Sequence, residues 1–110
     1  MHVDGLYRKQ APLSQLLINN MDINKTDIPE IAPTFRVQWE EVQDCYVVLY
    51  PEGMVKLSGS AGEIMKRIDG KNTIETIIKE LEESFSENNL EDDVIQFLEV
   101  AYGNGWIRNK

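Results

Sequence analysis

The sequence predicts an α+β domain in which three antiparallel strands are followed by three helices. Three observations carry this expectation. Apolar and polar residues alternate from Phe35 to Leu57, apolar residues recur every three or four positions from Ala61 to Ala101, and turn or capping residues stand at the joints. The 110 residues suit one small domain, and a hydrophobic content of 42% is enough to supply a core.

Val37 and Trp39 alternate with Arg36, Gln38 and Glu40, the pattern of a half-buried strand. Val42-Gln43-Asp44 is a short polar link. Cys45 to Tyr50, rich in β-branched and aromatic residues, forms the second strand, and Met54 to Leu57 the third. Pro51-Glu52-Gly53 reads as a three-residue hairpin loop, with proline presetting φ and glycine supplying a left-handed residue. Three-residue loops at both ends would pair Leu49 with Val55, Val47 with Leu57, Trp39 with Val47 and Val37 with Leu49. One dry face then holds Val37, Trp39, Cys45, Val47, Leu49, Val55 and Leu57. The third strand is left at an edge, with a row of backbone groups unpaired.

After Gly59 the period becomes that of a helix. Ser60 and Glu63 read as a capping box, Ala61, Ile64, Met65 and Ile68 as the buried stripe, and Asp69-Gly70 as the stop. Thr73 caps a second helix with the stripe Ile74, Ile77, Ile78, Leu81 and Phe85. Asn89 caps a third, whose first turn holds Glu91, Asp92 and Asp93, the favourable charge for that end of the dipole. Leu90, Val94, Phe97, Leu98 and Ala101 face the core, Gly103 and Gly105 end the helix, and Trp106-Ile107 tucks back onto the body. Three compact helices beside a small sheet make a winged-helix-like outline. Residues 1–33, with Pro12, Pro29, Pro33 and the polar run Asn19–Thr26, read as a flexible N-terminal arm before a domain at 34–110. Within the arm, Leu13 to Ile18 is an apolar patch suited to packing on this chain or a neighbour.

Eleven Lys and Arg against nineteen Asp and Glu leave a net charge of −8, which repels nucleic acid and anionic membrane. From Leu90 to Ile107 there is no Lys or Arg, so the third helix has the wrong sign for a DNA-recognition helix. One cysteine, Cys45, and one histidine, His2, make neither a zinc-type ligand set nor a nucleophile–base pair. Cys45 reads as a core thiol, and a lone cysteine fits a reducing compartment. Ser58 to Gly62 lacks the lysine of a phosphate loop. No run is long enough to span a bilayer and no signal peptide is evident, so the cytoplasm is expected. No catalysis and no cofactor are expected.

What remains is an interaction surface. An open sheet edge accepts an extended peptide as an added strand, with a neighbouring helix supplying side-chain pockets. The third helix carries apolar residues beyond its stripe, namely Ile95, Val100 and Tyr102. An exposed edge also permits a homodimer.

The run Ala32–Tyr50, APTFRVQWEEVQDCYVVLY, continues with PEGMVKL, SAGEI, Asp69-Gly70 and LEDDVIQFLEVAYGNGWI. This ordered series resembles the PqqD family of pyrroloquinoline quinone biosynthesis over about Pro29 to Ile107. The chain departs from the family pattern in its longer N-terminal arm, at Val48, and at Ser58-Gly59. The resemblance implies a non-enzymatic peptide chaperone, a RiPP recognition element. It would bind the ribosomal precursor peptide PqqA and present it to the radical-SAM enzyme PqqE, which joins a glutamate to a tyrosine. The related fold takes its peptide as a strand between the third strand and the third helix. Carried onto this chain, the peptide-binding residues are Met54, Val55, Lys56, Leu57 and Ser58, with Asp93, Gln96, Phe97 and Val100 from the helix. The Ile95 and Tyr102 flank is the competing choice. Proline at Val55 or Leu57 removes a backbone donor and should weaken peptide binding on a pairing edge; where that donor belongs to the internal ladder, the same change unfolds the sheet. The alternatives are a recognition domain for another modified peptide and a transcription regulator.

Overall fold

The computed structural model describes residues 23–110, so the expectations for His2 and the Leu13–Ile18 patch lie outside the described residues. In chain order the elements are β1 (Pro29–Ile31), β2 (Arg36–Glu40), β3 (Cys45–Tyr50), β4 (Gly53–Lys56), α1 (Gly59–Met65), α2 (Ile74–Phe85), α3 (Glu91–Gly103) and β5 (Ile107–Asn109). The antiparallel sheet β2-β3-β4 and the three helices agree with the expected α+β plan.

The strand register differs from expectation. Glu40 pairs with Cys45 across Glu41–Asp44, and Tyr50 pairs with Gly53 across Pro51-Glu52 alone. The first loop is longer than predicted because Asp44 takes the left-handed conformation (φ 55°) and its N–H donates to the Glu41 carbonyl at 3.2 Å. Aspartate tolerates that region better than most residues. The second loop is shorter, and Gly53 belongs to β4. These two changes turn β3 over relative to its neighbours. Val48 now lies between Val37 and Val55, and Trp39 opposes Tyr46, while Cys45, Val47 and Leu49 move to the other face. A one-residue slip exchanges faces in this way because side chains alternate strictly along a strand. Val48, wholly buried, is in the main core with Leu57. Val37, Tyr46 and Val55 pack against it half-buried, and Cys45 is a half-buried free thiol.

Residues 23–33 were expected to be part of a loose arm, and the structure corrects this. β1 pairs antiparallel with β5, and Glu30 meets Arg108 at 2.8 Å. The carbonyls of Lys25 and Asp27 accept the N–H groups of Glu75 and Ile74 at 2.9 and 3.0 Å, and the Pro29 carbonyl accepts that of Gly70 at 3.1 Å. Pro29 suits this role because the first residue of a short edge strand can do without its N–H. Pro29 and Pro33, two of the prolines that suggested looseness, thus stand at the start of a strand and just beyond its end.

Local capping follows the predicted logic, with two changes of residue. Ser58, not Ser60, caps α1, its Oγ accepting the Ala61 N–H at 3.2 Å. Glu63 instead meets Arg67 at 2.9 Å and Lys66 at 3.3 Å, and the Arg67 hydrogen bond is the main cause holding its carboxyl below 4.5. Thr73 caps α2 as expected, accepting from the Thr76 N–H at 3.1 Å. Asn89 does not cap α3. It takes a left-handed φ of 63°, and the following Leu90 donates its N–H to Glu82 Oε2 at 3.1 Å. Between α1 and α2, Asp69 Oδ1 accepts the N–H groups of Lys71 and Asn72 at 2.8 and 2.9 Å, and these bonds lower its pKa.

The helices bury Ile64, Met65, Ile74, Ile77, Leu81, Val94, Phe97 and Leu98 in one cluster, closed by Trp106 and Ile107. Phe85, read as the last member of the α2 stripe, is 42% exposed, since α2 ends there with Ser86 in the left-handed region. Gly62 lies so close to β3 that an added Cβ would stand 3.0 Å from the Tyr46 ring. This glycine lets α1 settle onto the sheet.

Candidate functional site

β4 is an edge strand, and the hydrogen-bond parity along it decides which groups are open. The Leu57 N–H donates to the Tyr46 carbonyl at 2.9 Å, one step beyond the last ladder pair, Val47 with Lys56. In an antiparallel ladder, hydrogen-bonded and non-bonded pairs alternate. Leu57 and Val55 therefore turn their backbone groups inward to β3. Those of Met54 and Lys56 point outward, where no strand pairs with them among the described residues. Side chains follow the same alternation: Met54 and Lys56 are exposed, Val55 is half-buried and Leu57 is 3% exposed. The Ser58 hydroxyl is engaged as the α1 cap. Of the five strand residues named from the sequence, two thus offer free backbone groups, two form the apolar floor, and one ends the strand.

On α3, Phe97 is 1% exposed and belongs to the same core cluster as Leu57, with Val55 packed against that cluster. At 3.6 residues per turn, Asp93 and Val100 lie on one flank of the buried stripe, Ile95 and Tyr102 on the other, and Gln96 faces outward. The structure places Asp93 and Val100 at intermediate exposure and Gln96 at the surface.

The competing flank is already in use. Ile95 and Tyr102 pack against the core together with Ile23, Lys25 reaches Glu91 at 3.1 Å, and the Tyr102 hydroxyl donates to Asn109 Oδ1. Burial, helped by the nearby Asp27 charge, pushes the Tyr102 pKa up to about 12. Its phenol stays neutral and serves as a donor. Nothing in the sequence pattern pointed to Ile23 and Lys25 as the cover of this flank, because the Asn19–Thr26 run is polar and aperiodic.

The outer face of α3 is acidic. A cleft of about 490 Å3 opens between Lys25 and a row formed by Glu91, Asp92, Asp93 and Glu99. Burial raises the pKa of Glu99. On β4 the exposed charge is of the opposite sign, that of Lys56. The described residues include no group of three or more side chains suited to hold a metal ion. No helix among them is long and apolar enough to cross a membrane. An edge with outward N–H and C=O groups, an apolar floor and polar flanking side chains is equipped to hold an extended peptide by its backbone and to select among its side chains.

Comparison with known proteins gives the chain's relatives. The chain is 50% identical over 82 residues to the PqqA binding protein of Azotobacter vinelandii, an alignment that covers 74% of this chain and 89% of that one. It is 41% identical over 88 residues to the PqqA binding protein of Methylococcus capsulatus, covering 80% and 95%. Its fold matches the solution NMR structure of the PqqD truncation of Methylobacterium extorquens PqqCD, a stand-alone RiPP recognition element. That match has a TM-score of 0.67 at 24% identity, over 79% of this chain and 95% of that one. The model of the family described as coenzyme PQQ synthesis protein D (PqqD) matches residues 45–107, from the start of β3 to the first residue of β5. The chain belongs to the PqqD family.

Proposed function

We propose that this protein binds the precursor peptide PqqA as a strand added to β4 and presents it to the radical-SAM enzyme PqqE. The protein itself takes no part in the chemistry. The observation that carries this reading is the parity of the edge: Met54 and Lys56 turn their backbone groups away from the sheet, and no strand pairs with them among the described residues. The relatives named as PqqA binding proteins support the choice of ligand. In this arrangement backbone groups of the peptide pair with Met54 and Lys56. Its inward side chains rest over Val55, Leu57 and Phe97, and Asp93, Gln96 and Val100 line the other wall. Lys56 offers its ammonium to a carboxylate of the peptide. The PqqE active site then receives a peptide held in a fixed, extended conformation.

Calorimetric titration of the full chain with synthetic PqqA tests this directly. Saturable binding at one site in the micromolar range or tighter is expected, and no heat change across that range contradicts it. A DNA-binding role has the electrostatics against it, because α3 carries three acidic residues in its first turn and no cation.

A further inference from the structure

The sheet has a second edge. β2 lies on the opposite margin from β4, with no strand partner on its outer side among the described residues. Because Tyr46 gives its carbonyl to Leu57, it is Cys45, Val47 and Leu49 that turn their backbone groups to β2, opposite Glu40, Gln38 and Arg36. The backbone groups of Val37 and Trp39 therefore point outward. A strand added here bonds to those two residues and sets every second side chain on the face that carries Val37, Trp39, Tyr46 and Val48. Trp39 is 50% exposed on that face, its ring edge-on to Tyr46 with centroids 5.2 Å apart. Beside it a groove of about 440 Å3 opens toward the end of α1, lined by Phe35, Val37, Tyr46 and Met65 together with Arg36 and Lys66.

Charge sets this groove apart. It is lined by two cations and, among the described residues, by no carboxylate. The cleft beside α3 holds four carboxylates against Lys25, and a third cleft at the end of α2 holds three against Lys79. The Lys66 ammonium stands 5.8 Å from the centroid of the Tyr46 ring, on the groove side of the sheet. Glu63 meets it at 3.3 Å, but that carboxylate is shared with Arg67 at 2.9 Å. Arg36 makes no ion pair among the described residues, and its guanidinium donates to the neutral Gln38 at 3.5 Å. In a chain of net charge −8, an acidic segment is repelled by most of the surface and attracted here. An outward backbone, an apolar floor and two cations thus converge on one margin.

We propose that the β2 edge takes an extended acidic segment of another protein as an added strand. Its backbone pairs with Val37 and Trp39, an apolar side chain opposite Val37 enters the groove, and carboxylates meet Arg36 and Lys66. This site is separate from β4 and does not depend on how PqqA is held. The probe is the acetylated, amidated peptide Thr-Glu-Thr-Val-Glu-Thr, titrated to about 5 mM into the full chain and followed by amide NMR. Dissociation constants of about 0.1–1 mM are expected for so short a strand, with slowed exchange at the Val37 and Trp39 amides. The same peptide with Lys for both Glu residues binds about fivefold more weakly or worse. Arg36→Glu and Lys66→Glu each weaken the acidic peptide about threefold, and the double variant prefers the Lys peptide. Both side chains are exposed, so the variants fold, as circular dichroism would show, and Lys66→Gln replaces Lys66→Glu if a like charge beside Glu63 disturbs α1. PqqA affinity in the folded variants stays within about twofold of the parent, since β4 is untouched. No binding at about 5 mM, equal binding of the two peptides, or slowed amides at Met54 and Lys56 instead of Val37 and Trp39 overturns the proposal. Val37 and Trp39 amides already slow in the free protein would show that this chain itself covers the edge, and PqqA affinity falling together with that of the probe would put the precursor there. Either result overturns the proposal as well.

Discussion

Lys56→Pro leaves the domain folded and lowers its affinity for PqqA about tenfold or more. The Lys56 N–H points away from β3, so its removal takes nothing from the internal ladder. An edge strand accepts proline at such a position. On the peptide side, the substitution removes a donor from the shared ladder, puts a ring where the added strand must approach, and deletes the ammonium. Leu57→Pro behaves in the opposite way. It removes the 2.9 Å bond from Leu57 to Tyr46 and disturbs a side chain only 3% exposed, so the fold itself fails. Val55 shares that inward parity. Titration with PqqA and thermal circular dichroism on the two proline variants separate the outcomes. A folded Lys56→Pro variant with parental affinity would remove β4 from the site.

Phe97→Ala destabilises the protein by about 3–5 kcal/mol, a large part of the roughly 5–15 kcal/mol that holds a small domain together. Phe97 is among the largest fully buried side chains, at 1% exposure, and truncating it opens a cavity where α3 meets the core under the proposed groove. Phe97→Leu keeps most of the apolar volume and costs less. Urea denaturation gives both values. Where the Leu variant is folded, its affinity for PqqA stays near that of the parent, because the ring supports the groove from below. A large affinity loss in a stable Leu variant would instead make Phe97 a direct contact.

Much of the fold was legible in local chemistry. The α2 stripe with its Thr73 cap and the core face of α3 follow from periodicity and capping alone. The strands were legible as strands, but their register was not. It rests on whether Asp44 takes a left-handed φ and whether Gly53 belongs to the loop or to β4, and each choice moves the pairing by one residue. The error turned β3 over: Val48, not Val47, joins the main cluster with Leu57, while Val47 is fully buried on the other face. It left the third strand at the edge, since edge position depends on strand order and not on register. The same parity governs which backbone groups face outward, which is why the informative proline moves from Val55 or Leu57 to Lys56. The tie between residues 23–33 and the body was hidden for a different reason. Pairing between β1 and β5 joins segments at opposite ends of the domain, and short strands of three residues carry no periodicity to read. On α3, spacing placed Asp93 and Val100 opposite Ile95 and Tyr102 but could not say which flank was covered. That required Ile23, Lys25 and Asn109 to be seen against the second.

The central claim is that PqqA completes the sheet at β4, and amide hydrogen exchange of the full chain with and without saturating PqqA tests it most directly. Val55 and Leu57, already bonded to β3, should be protected in both states. The amides of Met54 and Lys56 should exchange quickly in the free protein and slow markedly in the complex, as their outward N–H groups gain partners. Saturated complex in which Met54 and Lys56 exchange as fast as in the free chain would contradict the account.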